Sequence, residues 1–267
     1  MRIGFLQFAP KRLEVEDNLR RILAFLEPVE DALVVTPELA VSGYLFRNER
    51  ECRDAGTPPD DPRLHPFFAL LAKNRLHAVL GLIEPAERGV YNTALLAGPD
   101  GPLGTYRKIH LFDREKRIFL PGEQPPPVFE VAGARLGLMI CWDWFFPETA
   151  RFLGRRGAQV VAHPANLVLP WCLDAMRTRS LENRLFTVTA NRTGAETLRG
   201  VGLSFYGRSQ VVDPDGERIL AVGGDAVEGV FTVDLDPARA DEKAMTPGNP
   251  GPGEARRDLL DGAHGAG

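Results

Sequence analysis

The chain has 267 residues, 44% of them hydrophobic and 25% charged, with a net charge of -4. This is ordinary globular usage, sufficient for one α/β core, without the basic excess of a nucleic-acid or anionic-membrane binder. No apolar run approaches the ~20 residues of a membrane span, the five His show no paired ligand spacing, and Cys52, Cys141 and Cys172 fit neither a disulfide framework nor a zinc site. A reducing, cytoplasmic location without metal or organic cofactor is the expectation.

In chain order, residues 2–8 (RIGFLQF) read as a strand and carry no signal-peptide pattern. Leu19, Ile22, Leu23 and Leu26 recur on one helical face. Residues 32–35 (ALVV) form a short buried strand. Helical spacing returns at Leu64, Phe67, Phe68 and Leu71, followed by a strand over 77–83. Strands are expected over 91–97, 103–107 and 135–140, then a helix with Pro147 near its first turn and Gly157 just past its end. Residues 159–163 read as a strand, 173–185 as a helix with Cys172 at its start, and 187–190 as extended. Strands near 203–212 and 229–234 follow, the first closed by an Asp-Pro-Asp-Gly turn at 213–216. No repeat or interdomain linker interrupts this alternation, which predicts sheets covered by helices in one domain over 1–267. Residues 243–260 are expected to be an extended segment and 261–267 to be disordered.

Three positions stand out chemically. Cys141 follows an apolar strand and precedes a helix, a placement that would expose it to the helix's N-terminal field and favour a thiolate. A buried structural thiol fits that placement equally. Glu38 follows the ALVV strand through Thr36-Pro37, where an acid/base group is useful, although in isolation a solvated loop carboxylate is the plainer reading. Lys108 lies in a charged loop whose many apolar residues imply partial burial, and Glu115 lies seven residues on; alone, each reads as a surface charge.

Together these segments resemble the nitrilase superfamily of carbon–nitrogen hydrolases, which carries a Glu–Lys–Cys triad in three separated motifs. The matching stretches are TPELAVSGY (36–44), YRKIHLF (106–112) with EKRIFLPGE after it, and GLMICWDWFFPE (137–148). The resemblance extends to IGFLQFAP, HPANL (163–167), ENR and TANRTG (182–194), SFYGRSQVVDPDGE (204–217) and the terminal RRDLL island, nearly the whole chain. It implies a four-layer α-β-β-α sandwich with two mixed sheets, dimerised through helices near 147–156 and 173–185, as a homodimer or higher homo-oligomer.

The resemblance also implies the roles. Cys141 would attack an amide or nitrile carbon, Glu38 would serve as general base, and Lys108 and the backbone N–H of Trp142 would stabilise the oxyanion. Glu115 matches a second glutamate that orients the triad and water. Ammonia would leave first, and water would then convert a thioester at Cys141 to a carboxylate. Tyr44, Phe112, Trp144, Phe145 and Asn166 are candidate substrate contacts, with Trp171 a further pocket aromatic and Phe46 more simply core. His110 reads as structural. Relatives that grip acid-tailed substrates often carry Arg where Trp144 and Phe145 stand, so small, weakly polar amides or nitriles are favoured here, unless Arg177 or Arg192 supplies a cation. An N-carbamoyl amino acid amidohydrolase or ω-amidase, an acyltransferase, and a catalytically silent scaffold remain as alternatives.

Overall fold

The computed structural model describes residues 1–224 and 226–255. Residues 256–260 and 261–267, to which the sequence assigns the RRDLL island and a disordered end, lie outside the described residues.

Fourteen strands and five α-helices follow one another in the described chain. The first sheet holds β1 (Arg2–Gln7), β2 (Ala32–Val35), β3 (His77–Ala86), β4 (Gly89–Gly98), β5 (Gly101–Arg107) and β14 (Gly229–Asp234), in the order β14-β1-β2-β3-β4-β5. The second holds β6 (Val128–Val131), β7 (Ala134–Leu138), β8 (Val160–Ala165), β9 (Phe186–Asn191), β12 (Gln210–Val212) and β13 (Arg218–Ala221), in the order β13-β12-β9-β8-β7-β6. In each sheet the three central strands are parallel, β1-β2-β3 and β7-β8-β9, and the outer ones antiparallel. A separate hairpin pairs β10 (Thr193–Leu198) with β11 (Val201–Tyr206).

The alternation of side chains along each strand sorts them into layers. Ile3, Phe5, Leu33, Val35 and Val79 point inward and pack with Leu136, Leu138 and Val161 of the second sheet. Their neighbours Leu6, Val34, Ala78 and Leu80 point outward, onto the helices α1 (Val15–Leu26) and α3 (His65–Asn74). Helices α4 (Pro147–Arg155) and α5 (Cys172–Asn183) cover the other sheet through Leu153, Cys172 and Met176. The result is the four-layer sandwich that the motifs imply.

Local chemistry sets several element ends. Helix α1 has Glu16 and Asp17 in its first turn, where the helix dipole favours them, and buries Leu19, Ile22 and Leu26 completely or nearly so. Each such side chain contributes about 1.5–3 kcal/mol of apolar burial, and Ile22→Ala would cost about 2–5 kcal/mol. Buried Asn18 on the same helix accepts from Lys11 N–H and donates to the carbonyls of Lys11 and Val41, tying α1 to the loop after β2. Arg75 and Arg184, both left-handed, terminate α3 and α5.

The structure corrects several expectations. The strand expected over 135–140 ends at Leu138, because the next residues bend into a 3-10 turn, Cys141–Phe145. The strand expected over 203–212 is two, split where Gly207 and Arg208 take positive φ. Helix α2 (Glu49–Asp54) and strands β6, β10 and β13 carry too little apolar periodicity to be read from sequence. The described part of the expected extended segment is turns, with a Thr246–Asn249 bridge and a 3-10 turn at Pro252–Glu254.

Candidate active site

Strands β2, β5, β7 and β8 all end at one edge of the sandwich, and the residues just past those ends, Glu38, Lys108, Cys141 and Asn166, meet there. Parallel sheets gather ligands at such carboxyl ends.

Glu38 is held by a loop pressed onto β3. Thr36 N–H bonds Val79 O at 2.9 Å, and Gly81 N–H bonds Thr36 Oγ1 at 3.1 Å. A Cβ on Gly81 would lie 2.2 Å from Pro37 O and 2.6 Å from Leu39 N, so only glycine lets the loop approach this closely. Glu38 is buried, not solvated. Its Oε1 accepts from Asn92 Nδ2 at 2.7 Å and from Lys108 Nζ at 2.6 Å. Asn166 Nδ2 donates to its backbone carbonyl at 2.9 Å. Its Oε2 is buried and makes no hydrogen bond among the described residues.

Lys108 is 1% exposed, again not the surface charge that its loop suggests in isolation. Its ammonium also bonds both oxygens of Glu115, at 2.9 and 2.8 Å. Burial alone would strip its proton; Glu115 and Glu38 outweigh that and hold the pKa above the ordinary lysine value. Glu115 sits in a 3-10 turn, Asp113–Arg117, and accepts from Phe112 N–H at 3.1 Å and Tyr44 OH at 2.7 Å. Burial, then the charge of Glu38, raises its carboxyl pKa against the pull of Lys108. The two carboxylates thus bracket one ammonium, and breaking such a buried set is costly.

Tyr44 is positioned from behind. Its backbone N–H and that of Leu45 donate to Glu196, at 3.0 and 2.7 Å for the nearer contacts, and Glu196 is ion-paired to fully buried Arg192. The Arg192 guanidinium lies 4.0 Å from the Phe205 ring centre, and that ring packs edge-on against Tyr44. Arg192 is therefore committed to this cluster and Arg177 to Gly216 O, so neither offers a cation to the pocket.

Cys141 occupies the start of the 3-10 turn with φ +39°, a region that costs a non-glycine residue on the order of 1–3 kcal/mol. Buried Asp143 fixes the turn. Its Oδ2 accepts from Ile140 N–H at 2.8 Å and Tyr106 OH at 2.9 Å, and its Oδ1 pairs with His110 Nδ1 at 2.8 Å. His110 also stacks on Phe146, an anchoring role that matches its structural reading. On the interior side, His163 Nε2 lies 3.0 Å from the Cys141 carbonyl.

The thiolate expectation is corrected here. Five residues, most of them in the separate 3-10 turn that Cys141 starts, stand between Cys141 and the first residue of α4. Burial, followed by the charge of Glu38, raises the thiol pKa well above its usual value, with Lys108 and the Asn166 N–H pulling only partly back. This environment favours the protonated thiol.

Cys141 opens into a cleft of about 250 Å³ lined by Phe112, Trp142, Trp144, Asn166 and the 167–169 loop. A neighbouring hollow of about 500 Å³, lined by Tyr44, Phe46, Phe112, Glu115, Val201 and Leu203 among others, shares the Phe112 wall. Phe145 is 50% exposed and stacks on Trp142 at 4.5 Å, outside the cleft lining, and Trp171 is 61% exposed, also outside it. Phe46 is buried against Phe119. Asn92, His163 and Glu196 are site neighbours that sequence reasoning missed, and Arg192, weighed there as a pocket cation, is instead the ion-pair partner of Glu196. Asn92 had a signal, a lone amide within an apolar strand, since buried amides need partners.

No described helix is long and apolar enough to cross a membrane, and no described group of three or more His, Cys, Asp or Glu could hold a metal ion. Comparison with known proteins gives a consistent answer. The carbon–nitrogen hydrolase family model matches residues 2–245. The chain is 38% identical over 240 residues to a nitrilase of Pyrococcus abyssi, covering 88% of this chain and 90% of that one. It is 32% identical to an (R)-stereoselective amidase of Pseudomonas sp, over 98% and 99% of the two chains. Among solved structures, a variant of the amidase from Nesterenkonia sp. AN1, carrying the acetamide moiety of fluoroacetamide on its active site cysteine, superposes with a TM-score of 0.81 at 29% identity, over 98% of this chain and 95% of that one. A buried carboxylate–ammonium–thiol cluster at the strand ends and a family match over nearly the whole described chain coincide, and the chain belongs to the carbon–nitrogen hydrolases of the nitrilase superfamily.

Proposed function

We propose that the protein hydrolyses a small neutral amide or nitrile, with Cys141 as nucleophile, Glu38 as general base and Lys108 with the Trp142 N–H as oxyanion donors. The observation that carries this reading is the unpartnered, buried Oε2 of Glu38 beside a neutral buried thiol. A buried carboxylate oxygen without a donor is costly in a folded protein, and an arriving thiol or water proton satisfies it.

The steps balance. The Cys141 proton passes to Glu38 as sulfur bonds the amide carbon, and the carbonyl oxygen becomes the oxyanion. That charge develops near the Lys108 ammonium, which Glu38 and Glu115 keep protonated. Collapse expels ammonia, which takes the proton from Glu38 and leaves a thioester. Water then gives Glu38 a proton and attacks the thioester carbon. Release of the carboxylic acid returns that proton to sulfur. Glu115, fixed by Tyr44 and Phe112, holds Lys108 and so acts as a positioning residue. Phe112, Trp144 and Asn166 contact the substrate, and Tyr44 bounds the adjoining hollow.

The cleft lining offers rings, aliphatic side chains and one amide, with no cation to grip a carboxylate tail. Ammonia release from a short aliphatic amide, its nitrile and an N-carbamoyl amino acid tests the substrate class. Turnover of the first two supports the reading; activity on the carbamoyl compound alone overturns it. We further place the enzyme as a cytoplasmic homodimer. Its three unpaired, buried cysteines suit a reducing compartment, and Leu181 on α5 leaves apolar surface for a second copy. Light scattering in solution tests the assembly.

A further inference from the structure

The reaction described above leaves one buried titratable residue beside Cys141 without a role. His163 is fully buried on the inner face of β8, directly paired in register with Thr189 of β9. Its Nδ1 lies 3.1 Å from Thr189 Oγ1 and its Nε2 lies 3.0 Å from the Cys141 carbonyl oxygen. A carbonyl only accepts, so Nε2 carries the proton and Nδ1 accepts from the Thr189 hydroxyl. Burial lowers the pKa of His163 to about 4, so at neutral pH the ring is uncharged and has a single N–H to give.

That bond reaches the chemistry through the peptide plane. A trans peptide is planar, and its C=O and N–H point in opposite directions. Fixing the Cys141 carbonyl on the interior side therefore fixes the Trp142 N–H on the opposite side. His163 does not line the cleft, whereas Cys141 and Trp142 do. The positive φ of Cys141 makes this orientation one that the backbone would not hold unaided.

We propose that His163, with its tautomer set by Thr189, is a positioning residue that aims the Trp142 N–H at the developing oxyanion. This rests on the reading of Cys141 as nucleophile. It assigns His163 no proton transfer and no contact with substrate.

The test compares two reactions of the same thiol. Amide hydrolysis needs the oxyanion donor. Thiolation by methyl methanethiosulfonate, which forms a Cys141 methyl disulfide and releases methanesulfinate, does not. In His163→Leu, kcat for a short aliphatic amide should fall about 10- to 100-fold, short of the ~10²–10³ for losing an oxyanion donor outright. KM and the thiolation rate at Cys141 should stay within about threefold. His163→Gln, which keeps an N–H, should recover much of kcat. Thr189→Val, which frees the tautomer but keeps the ring, should show a smaller loss of the same kind if His163→Leu fails to fold. Equal falls in hydrolysis and thiolation, or an unchanged kcat in both His163→Leu and Thr189→Val, would overturn the proposal. Full ammonia release by Cys141→Ala would instead overturn the parent reading.

Discussion

The two sides of the site are built on opposite principles. The charged wall, Glu38, Lys108 and Glu115 past the ends of the first sheet's strands, consists of titratable groups removed from water and held by several bonds each. The aromatic wall, Trp142, Trp144 and Phe145 after Cys141, is a cluster of rings that runs from buried Trp144 to half-exposed Phe145 at the rim, where Phe145 stacks on Trp142. Buried charge is expensive and persists only where its partners are complete; exposed rings are tolerant of change. On the proposed reading chemistry is concentrated in the charged wall and selection in the aromatic one, and substitutions on the two sides should fail in different ways.

The charged wall should break first and hardest. Glu38→Gln removes the proton acceptor while keeping the shape, and kcat should fall about 10²–10⁴-fold with little change in melting temperature. An active Glu38→Gln enzyme would remove the general base from the account. Lys108→Met leaves Glu38 and Glu115 facing each other in the interior. It should lower kcat about 10²–10³-fold and stability by about 3–5 kcal/mol, read from denaturant midpoints. A loss of activity alone, without the stability loss, would mean that the carboxylates do not depend on it.

A third effect sharpens the contrast through pH. Folding depresses the proton affinity of His163 from 6.5 to about 4. Between those values the unfolded chain binds a proton that the folded chain refuses. The contribution to stability is thus complete above pH 6.5 and is lost as pH falls toward 4, by on the order of 3 kcal/mol. Unfolding midpoints at neutral and acid pH should show a drop that is reduced in His163→Gln. The smallest effect belongs to the aromatic wall. Phe145→Arg places a half-exposed, solvent-screened cation at the rim. It should shift preference toward acid-tailed amides by only about two- to fivefold, measured as a ratio of kcat/KM values.

The same division explains what could be read from sequence. Ile3, Phe5, Val34 and Leu80 announce their layers through period-two and apolar patterning, because burial is written in residue type. Glu38, Lys108 and Cys141 were legible only as a set. Each alone is an ordinary loop residue, and it is the resemblance, not the spacing, that joined them. Arg192 was weighed only as a pocket cation, and its partner Glu196 was hidden, because a buried ion pair has the same composition as a surface one. The thiolate reading failed because burial and the neighbouring Glu38, neither visible in the local strand–turn–helix pattern, favour the protonated thiol; in sequence the 3-10 turn Cys141–Phe145, fixed by Asp143, also separates Cys141 from α4. The split near Gly207 went unseen because a single glycine within a polar stretch does not declare its φ.

The central claim, a covalent acyl group on one particular sulfur, can be measured directly. The protein is mixed with a slowly hydrolysed amide, quenched in acid and digested, and the peptides bearing Cys52, Cys141 and Cys172 are weighed by mass spectrometry. The account predicts the acyl mass on the Cys141 peptide alone, absent when Cys141→Ala is treated identically. Acylation of another residue, or continued ammonia release from Cys141→Ala, would contradict it.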